Sequence, residues 1–312
     1  MSSVQNLKPV NSNLESVTLQ DIENHKQISD AELLNDLSKL REFDASNNSN
    51  SFVGNPFLYH FQFKNLLKCE RETGPTFYEI WHDDTKRQKL IEQTKLRNRG
   101  GKTAAGNIFE CYRINLGSIV MFKATAAKYI YQKYNAKNVL DPTMGWGGRM
   151  LGAWALDINY TGIDTNINMK PAYDNMMSFL DNYPNDFNNP LFDHTTSKLN
   201  MIYDSCLDVD FSKLEYDFVL TSPPYVNLEI YEHMTPWNSK SEFYKDFFLP
   251  LWYKCKDNIQ TNGKIAFNIS PAMYDDAIKY GLQPCDTSED LLQQLGQQKK
   301  KKKQDKIYIW NC

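Results

Sequence analysis

Short apolar runs alternate with segments of helical periodicity along the chain from residue 117 onward. These runs predict strands over 138–141, 160–164, 199–204, 216–222 and 264–270, and a last strand over 306–311. Helical patterns follow the first, second, fourth and fifth runs, and the segment "SIVMFKATAAKYIYQKY" (118–134) predicts a helix before the first. Strands that alternate with helices are typical of an α/β fold, in which helices cover both faces of a mostly parallel sheet.

The N-terminal part of the chain divides into two segments. Residues 1–54 are polar and rich in Asn and Ser, a composition that predicts a largely flexible segment. Two short helices are expected within it, because Thr18 with Asp21 and Ser29 with Glu32 have capping-box spacing. Residues 55–116 are richer in aromatic side chains, which predicts an ordered extension before the α/β domain over 117–312.

The charge of the chain argues against a general attraction to polyanions, because its net charge is -3. Any contact with nucleic acid therefore needs a local basic surface. The densest basic cluster is "TKRQKLIEQTKLRNRGGK" (85–102). Within it Arg97, Arg99 and Lys102 are candidate nucleic-acid contacts, since the arginines run into a flexible Gly-Gly; the alternative is a solvated helix face.

Cysteine and histidine spacing predicts reduced thiols and no metal site. The six cysteines show no CxxC spacing, and the five histidines do not pair with them at the spacing of metal ligands. The N-terminus has no apolar signal region, and no apolar run is long enough to cross a membrane. We expect an intracellular protein that is not secreted and has no membrane partner, and the lysine run at 299–303 leaves a nuclear location open.

The first candidate site is the junction "DPTMGWGG" (141–148), where a predicted strand passes through a glycine turn into a helix. It is not a dinucleotide-binding fingerprint, because position 150 is Met, and no Gly-Lys-Ser/Thr follows as in a phosphate loop. Asp141 beside this turn suits the ammonium group of an amino-acid moiety. Asp164 and Asp204 end the next two predicted strands, where they could bind ribose hydroxyls and an adenine amino group.

A second junction completes a resemblance to a known family. The tetrapeptide Ser222-Pro223-Pro224-Tyr225 follows the strand that ends in Thr221. It resembles the (D/N/S)-P-P-(Y/F) motif of S-adenosylmethionine-dependent DNA amino-methyltransferases, and "DPTMGWGG" resembles their D-P-x-x-G-x-G cofactor motif. The similarity spans roughly residues 105–312.

The resemblance implies a Rossmann-like methyltransferase fold: a mostly parallel seven-stranded sheet with an antiparallel last strand, here with an N-terminal helical extension. S-adenosyl-L-methionine is the cofactor that it implies. The residues expected to bind this cofactor are Phe122, Asp141, Thr143, Gly145, Gly147, Asp164 and Asp204. Ser222, Pro223, Pro224 and Tyr225 are expected to be catalytic.

The residue types of the tetrapeptide suit methylation of an exocyclic amine. Such an amine is a poor nucleophile, because its lone pair is delocalised into the ring, and hydrogen-bond acceptors on its hydrogens favour a more tetrahedral nitrogen. We expect the Ser222 hydroxyl oxygen and the Pro223 carbonyl to be these acceptors, on a segment that the prolines make rigid. The Tyr225 ring would stack on a flipped base.

The substrate is less determined than the chemistry. Ser222 favours cytosine N4 of DNA by resemblance, while adenine N6 of DNA and a base in RNA remain alternatives. About fourteen residues separate Cys206 from Thr221, so no target-recognition domain fits between the motifs. Arg149 is interpreted as a substrate contact or as a residue that packs against the N-terminal region, and Asn268 as a residue that reaches the cofactor side of the sheet or caps a strand end. A non-catalytic nucleic-acid-binding module with the same fold is the alternative from another class, and a restriction–modification partner is undetermined.

Overall fold

The computed structural model describes residues 13–46, 51–70, 74–97, 103–117, 119–183, 197–225, 237–290 and 305–312. The strands are β1 (Asn138–Asp141), β2 (Asn159–Asp164), β3 (Leu199–Tyr203), β4 (Phe218–Thr221), β5 (Lys264–Ile269), β6 (Thr287–Asp290) and β7 (Lys306–Asn311). The helices of the N-terminal half are α1 (Leu19–Asn24), α2 (Asp30–Glu42), α3 (Asn55–Lys68), α4 (Phe77–His82), α5 (Asp84–Arg97), α6 (Ala104–Leu116) and α7 (Ala124–Lys133). Those that follow are α8 (Gly148–Trp154), α9 (Lys170–Asp181), α10 (Lys240–Glu242), a π-helical segment (Phe243–Phe248), α11 (Leu249–Asn258) and α12 (Pro271–Lys279).

The seven strands form one sheet in the order β3-β2-β1-β4-β5-β7-β6. Neighbouring strands from β3 to β5 are parallel, whereas β7 runs antiparallel to both β5 and β6. The predicted fold class, a Rossmann-like sheet with an antiparallel last strand, is therefore confirmed. The chain continues from β1 to β2 on one side, and β4 lies on the other, so the strand order reverses between β1 and β4. Open α/β sheets bind ligands at the carboxyl ends of the strands at such a point.

Successive residues of the strands pack on opposite faces of the sheet, as the period of two requires. On β4, Phe218 and Leu220 join one buried cluster and Val219 joins the other. Helices α7, α8 and α9 cover the first face, and the π-helical segment with α11 and α12 covers the second. The strand ends are thereby held between two packed layers.

The N-terminal segment contributes to this core, although its composition predicts a largely flexible chain over 1–54. Both expected capping boxes are present, and α2 buries Leu33, Leu37 and Leu40 against the first face of the sheet. Its carboxyl end is fixed by the buried Lys128, whose Nζ donates to the carbonyls of Leu40, Arg41 and Phe43 at 2.7–2.9 Å. One apolar stripe is sufficient to order residues of otherwise polar composition.

The described residues of 55–116 form a helical extension, whose small core also includes Leu14 and Ile22 of the preceding segment. Phe63 of α3, Phe77 of α4 and Phe109 of α6 belong to this small core. Phe57 and Leu58, which also lie on α3, belong to the main core. Helix α3 therefore connects the extension to the sheet. No helix in the described ranges is both long and apolar enough to span a membrane.

The helix predicted over 118–134 is shorter than expected, because α7 begins only at Ala124. Lys123, at the N-cap position, has extended backbone. The preceding residue lies directly against α8: a Cβ built on Gly148 would be 1.7 Å from the carbonyl oxygen of Phe122. The chain before Ala124 therefore packs closely against α8, where the first turns of the helix were predicted.

Candidate active site

The two junctions singled out in the sequence meet at the reversal point of the sheet. Strand β1 ends at Asp141 and its neighbour β4 ends at Thr221. The Thr143 hydroxyl lies 2.6 Å from the Thr221 hydroxyl and 3.1 Å from the Ser222 carbonyl oxygen, to which it donates. The glycine turn and the Ser-Pro-Pro-Tyr segment are therefore in direct contact.

Asp141 lies beneath this contact and not at its surface. Its side chain is 0% exposed and accepts hydrogen bonds from Arg149 Nε at 2.6 Å, the Tyr160 hydroxyl at 2.6 Å and Thr221 Oγ1 at 2.9 Å. The sequence predicted that Asp141 would bind a ligand directly. The structure instead places its carboxylate inside the protein, where it holds other side chains.

Arg149, in the first turns of α8, joins the two junctions. It is 4% exposed and donates through Nε to Asp141, through Nη2 to the Thr143 carbonyl at 2.6 Å and through Nη1 to Ser222 Oγ at 3.0 Å. Burial acts to lower the pKa of Arg149, but the Asp141 carboxylate raises it above the ordinary arginine value. The guanidinium is therefore charged while it contacts Ser222.

Ser222 has a second donor on its hydroxyl oxygen. Asn268, near the carboxyl end of β5, donates from Nδ2 to Ser222 Oγ at 3.1 Å. The Asn268 side chain is 7% exposed, and its Oδ1 is buried with no hydrogen-bond partner in the described part of the chain. The sequence left two alternatives open for each of Arg149 and Asn268, and neither alternative included a hydrogen bond to Ser222.

Tyr225 is positioned through its hydroxyl. Its ring is half-buried against the second core cluster, and the hydroxyl donates to Asp305 Oδ2, just before β7, at 2.5 Å. Pro223 is buried and Pro224 half-buried, so the segment is packed on both sides of the proline pair. Residues 226–236, which follow Tyr225, lie outside the described residues.

The two predicted glycines of the turn differ in their surroundings. Both have left-handed backbone, with φ of 58° at Gly145 and 90° at Gly147. A Cβ on Gly147 would lie 2.7 Å from Met176 Cε, so this glycine allows α9 to pack closely. A Cβ on Gly145 would lie 3.8 Å from Arg149 Nη2 and 3.9 Å from the Thr143 carbonyl oxygen, so Gly145 has no neighbour packed as tightly against it.

Asp164, at the end of β2, is connected to the same turn. Its Oδ2 accepts from the Gly145 N–H at 3.1 Å and its Oδ1 from the Asn166 N–H at 3.0 Å. Burial raises the pKa of Asp164, and these two backbone hydrogen bonds act in the opposite direction. A carboxylate placed in this way has lone pairs left with which to accept further hydrogen bonds.

The next strand ends beside Asp164, since Tyr203 of β3 is its partner in the sheet. Asp204 follows, is exposed and accepts from the Ser205 N–H at 2.7 Å. The Tyr203 hydroxyl, which the sequence did not single out, is buried without a hydrogen-bond partner among the described residues. Burial raises the pKa of Tyr203, so this hydroxyl stays protonated and able to donate.

Phe122 lies against Arg149 at the opposite side of the turn. The ring is 8% exposed, and its centre is 5.2 Å from Arg149 Cζ. This distance is within the range of a cation–π contact. Phe122 therefore packs on the residue that joins the two junctions.

The basic cluster on α5 is partly neutralised. Lys95 pairs with Glu15 at 2.7 Å, Lys86 with Asp83 at 3.3 Å, and Arg87 also has an acidic partner on its own helix. Arg97 is exposed and donates to Asn115 Oδ1 at 2.8 Å. Arg99 and Lys102 lie outside the described residues, so the predicted nucleic-acid contact stays a prediction.

The comparisons with known proteins give similarity of fold only. No family model and no curated protein matches the sequence. Among solved structures, the chain is similar to an rRNA methylase from Streptococcus thermophilus (12% identity, TM-score 0.40, 62% of this chain and 97% of that chain). It is also similar to an RNA methyltransferase from Salinibacter ruber in complex with S-adenosyl-L-homocysteine (12% identity, TM-score 0.37, 62% and 93%).

Proposed function

We propose that this protein is an S-adenosylmethionine-dependent methyltransferase that acts on an exocyclic amino group of a nucleic-acid base, with cytosine N4 of DNA as the first candidate. One observation supports the proposal above the others. Arg149, from the helix after the glycine turn, donates to the hydroxyl of Ser222 in the Ser-Pro-Pro-Tyr segment. The segments that resemble a cofactor motif and a catalytic motif are therefore parts of one hydrogen-bonded site.

The residues at the strand ends fit a nucleoside with an amino-acid arm. No atom packs closer than 3.8 Å to a Cβ built on Gly145, and the Asp164 carboxylate is fixed beside this turn by two backbone N–H groups. We assign to Asp164 the ribose hydroxyls and to the exposed Asp204 an adenine amino group. The unpartnered Tyr203 hydroxyl, next to Asp164 in the sheet, is a donor available to the same ligand.

Four of the residues that the resemblance implies would act indirectly. Asp141 is fully buried and would position Arg149 and Thr221, and Gly147 would allow α9 to pack beside the turn. Thr143 would connect the turn to the tetrapeptide through its hydroxyl, and Phe122 would pack on Arg149.

The bound cofactor would supply an electrophilic methyl group on its sulfonium. The task of this chain is then to orient a weakly nucleophilic amine and accept its hydrogens. The Pro223 carbonyl is an acceptor on a segment whose prolines provide no competing N–H. The Tyr225 ring, held by Asp305, would stack on the base.

Mass spectrometry of nucleosides tests the proposal. Purified protein is incubated with methyl-labelled S-adenosylmethionine and with DNA or RNA, and the polymers are digested. The expected product is N4-methyl-2′-deoxycytidine from DNA, strongly reduced with Tyr225→Ala and retained with Tyr253→Ala, which changes a tyrosine that is 44% exposed on α11. N6-methyladenine or a methylated ribonucleoside would identify one of the other substrates.

A lack of transfer to either polymer would contradict the proposal. If S-adenosyl-L-homocysteine also failed to bind in a calorimetric titration, the non-catalytic binding module would replace it. That module would bind nucleic acid with a strong dependence on salt, because its affinity would come from phosphate contacts of basic side chains such as Arg97.

A further inference from the structure

The Ser222 hydroxyl oxygen has two hydrogen-bond donors directed at it. Arg149 Nη1 lies 3.0 Å from Ser222 Oγ, and Asn268 Nδ2 lies 3.1 Å from the same atom. A serine hydroxyl has two lone pairs that accept and one proton that it donates. With both lone pairs engaged, the proton is what Ser222 can offer to a ligand.

Neither donor can exchange roles with Ser222 as the side chains are placed. A guanidinium has five N–H donors and no acceptor. Arg149 cannot turn away, because its other nitrogens donate to Asp141 at 2.6 Å and to the Thr143 carbonyl at 2.6 Å. Asn268 directs its amide nitrogen to Ser222, while its Oδ1 points elsewhere in the interior.

We propose that Ser222 donates its proton to the substrate, and that the tetrapeptide thereby recognises an unprotonated ring nitrogen next to the amine. This inference rests on the proposed function and assigns Ser222 a role opposite to the acceptor that the sequence predicted. Ser222 O–H and the Pro223 carbonyl form a donor beside an acceptor. Cytosine, with N3 beside its N4 amine, and adenine, with N1 beside its N6 amine, present the complementary pair on the edge by which flipped bases are read.

Recognition of the base and activation of its amine would then depend on different groups. A hydrogen bond to the ring nitrogen draws electron density away from the amine, so the Ser222 proton orients the base and does not make it more nucleophilic. The Pro223 carbonyl is left as the acceptor for the amine. Arg149 and Asn268 become positioning residues, which fix the direction of the Ser222 proton. Hydrogen bonds to a hydroxyl oxygen strengthen its own O–H as a donor. Arg149 and Asn268 would therefore also strengthen the hydrogen bond from Ser222 to the base.

Substrate analogues test the direction of this hydrogen bond. Two oligonucleotides carry, at the methylated position, either cytosine or 3-deazacytosine, whose ring has C–H in place of N3; 1-deazaadenine serves if adenine is the substrate. We expect the deaza analogue to lower kcat/KM of the wild type by about tenfold, because the Ser222 O–H is then left without its acceptor in the bound complex.

The variant Ser222→Ala completes the test. It should lower kcat/KM for cytosine mainly through KM, and the additional loss caused by the deaza substitution should be at least several-fold smaller than in the wild type. Comparing the two enzymes on both substrates removes the difference in intrinsic reactivity between the bases. If Ser222→Ala keeps the wild-type preference for the ring nitrogen, or the wild type has none, the inference is wrong.

Asn268→Asp provides a second measurement with an almost isosteric change. A carboxylate at this position has no N–H to donate and would accept the Ser222 proton, so the preference for the ring nitrogen should be lost while Ser222 remains. The control is Asn200→Asp, at an exposed position of β3. This variant should keep the wild-type preference for the ring nitrogen. A full wild-type preference in Asn268→Asp would also overturn the inference.

Different results would contradict the proposed function and the proposed direction of the Ser222 hydrogen bond. A wild-type protein that methylates no base in DNA or RNA contradicts the proposed function and this inference with it. A wild-type protein that methylates cytosine and 3-deazacytosine with the same kcat/KM contradicts only the direction of the Ser222 hydrogen bond.

Discussion

Arg149 Nε lies 2.6 Å from Asp141 Oδ2, and the two side chains are 4% and 0% exposed. A buried ion pair stabilises a protein only when further hydrogen bonds offset the loss of hydration of both charges. Tyr160 and Thr221 supply these bonds to Asp141, and Arg149 uses its remaining nitrogens on the Thr143 carbonyl and on Ser222. The pair therefore fixes the geometry of the turn and of the tetrapeptide together.

Replacing one member of this pair should destabilise the fold strongly. Asp141→Asn leaves the Arg149 charge buried without its counterion, and we expect the free energy of unfolding to fall by about 3–5 kcal/mol in urea denaturation. The control is Asp157→Asn, which breaks the more exposed ion pair with Arg41 and should cost less than about 1 kcal/mol. Equal losses in the two variants would contradict a structural role for Asp141.

Tyr225 should act mainly through its ring. Tyr225→Phe loses the hydrogen bond to Asp305 but keeps the face on which a base would stack, so we expect a moderate increase in KM. Tyr225→Ala removes the ring, and stacking of a base on an aromatic side chain is worth about 1–3 kcal/mol. Methyl transfer kinetics should therefore show a loss of kcat/KM about tenfold larger for Ala than for Phe, whereas similar losses would assign the role to the hydroxyl.

The protonation of Asp164 should control cofactor affinity at acidic pH. Burial raises the pKa of this carboxyl above the value of 3.8 that it has when unfolded. As the pH falls through the raised pKa, Asp164 takes up a proton and can no longer accept from both ribose hydroxyls. Calorimetric titration with S-adenosyl-L-homocysteine should then show a weaker affinity, whereas Asp164→Asn should bind weakly with little dependence on pH in this range.

The stability of the unliganded protein should change in the opposite direction. Because the folded state binds this proton more tightly than the unfolded state, protonation of Asp164 favours folding between its raised pKa and 3.8. In that window, Asp164→Asn should remove the part of the pH dependence of unfolding that belongs to this group. A wild-type affinity that does not change with pH would argue against a ligand on Asp164.

The sequence predicted the strand ends of the site but not the contacts that hold them. Hydrophobic patterning located β1 and β4, because each is a short apolar run in a part of the chain where such runs alternate with segments of helical periodicity. The partners of Arg149, by contrast, are Asp141 on its own turn and Ser222 far along the chain, and only the neighbouring positions of β1 and β4 bring them together. A motif indicates which residues carry chemistry, whereas sheet order decides which side chain blocks or orients another.

Two differences between the predictions and the described residues have local causes. Strand β6 was not predicted, because its sequence Thr-Ser-Glu-Asp has no apolar run; within the described ranges it pairs only with β7, at the edge of the sheet. Residues 1–54 were predicted to be largely flexible from composition averaged over the segment. A helix after Ser29 was expected, and the spacing of Leu33, Leu37 and Leu40 on α2 was the signal that could have identified it as buried.

The two glycines of the turn should separate packing from ligand binding. In Gly147→Ala the new methyl group would lie 2.7 Å from Met176 Cε on backbone with φ of 90°, so the melting temperature should fall markedly. Gly145→Ala costs only the left-handed conformation, about 1–2 kcal/mol, since its Cβ has no neighbour closer than 3.8 Å. Its methyl group would lie beside the Asp164 carboxylate to which we assign the cofactor ribose, so calorimetry should show the larger loss of S-adenosyl-L-homocysteine affinity for Gly145→Ala, and the reverse order would contradict the assignment.

The N-terminal helix α2 should contribute to the stability of the whole sheet. Leu37 is 0% exposed in the same core as β1 and β4, so Leu37→Ala should lower the free energy of unfolding by about 2–5 kcal/mol. The control is Leu96→Ala on α5, where the side chain is 86% exposed and the cost should stay within about 0.5 kcal/mol. A single cooperative transition in urea, shifted for Leu37→Ala, would show that α2 unfolds with the sheet; an unchanged midpoint would mean that the sheet is stable without it.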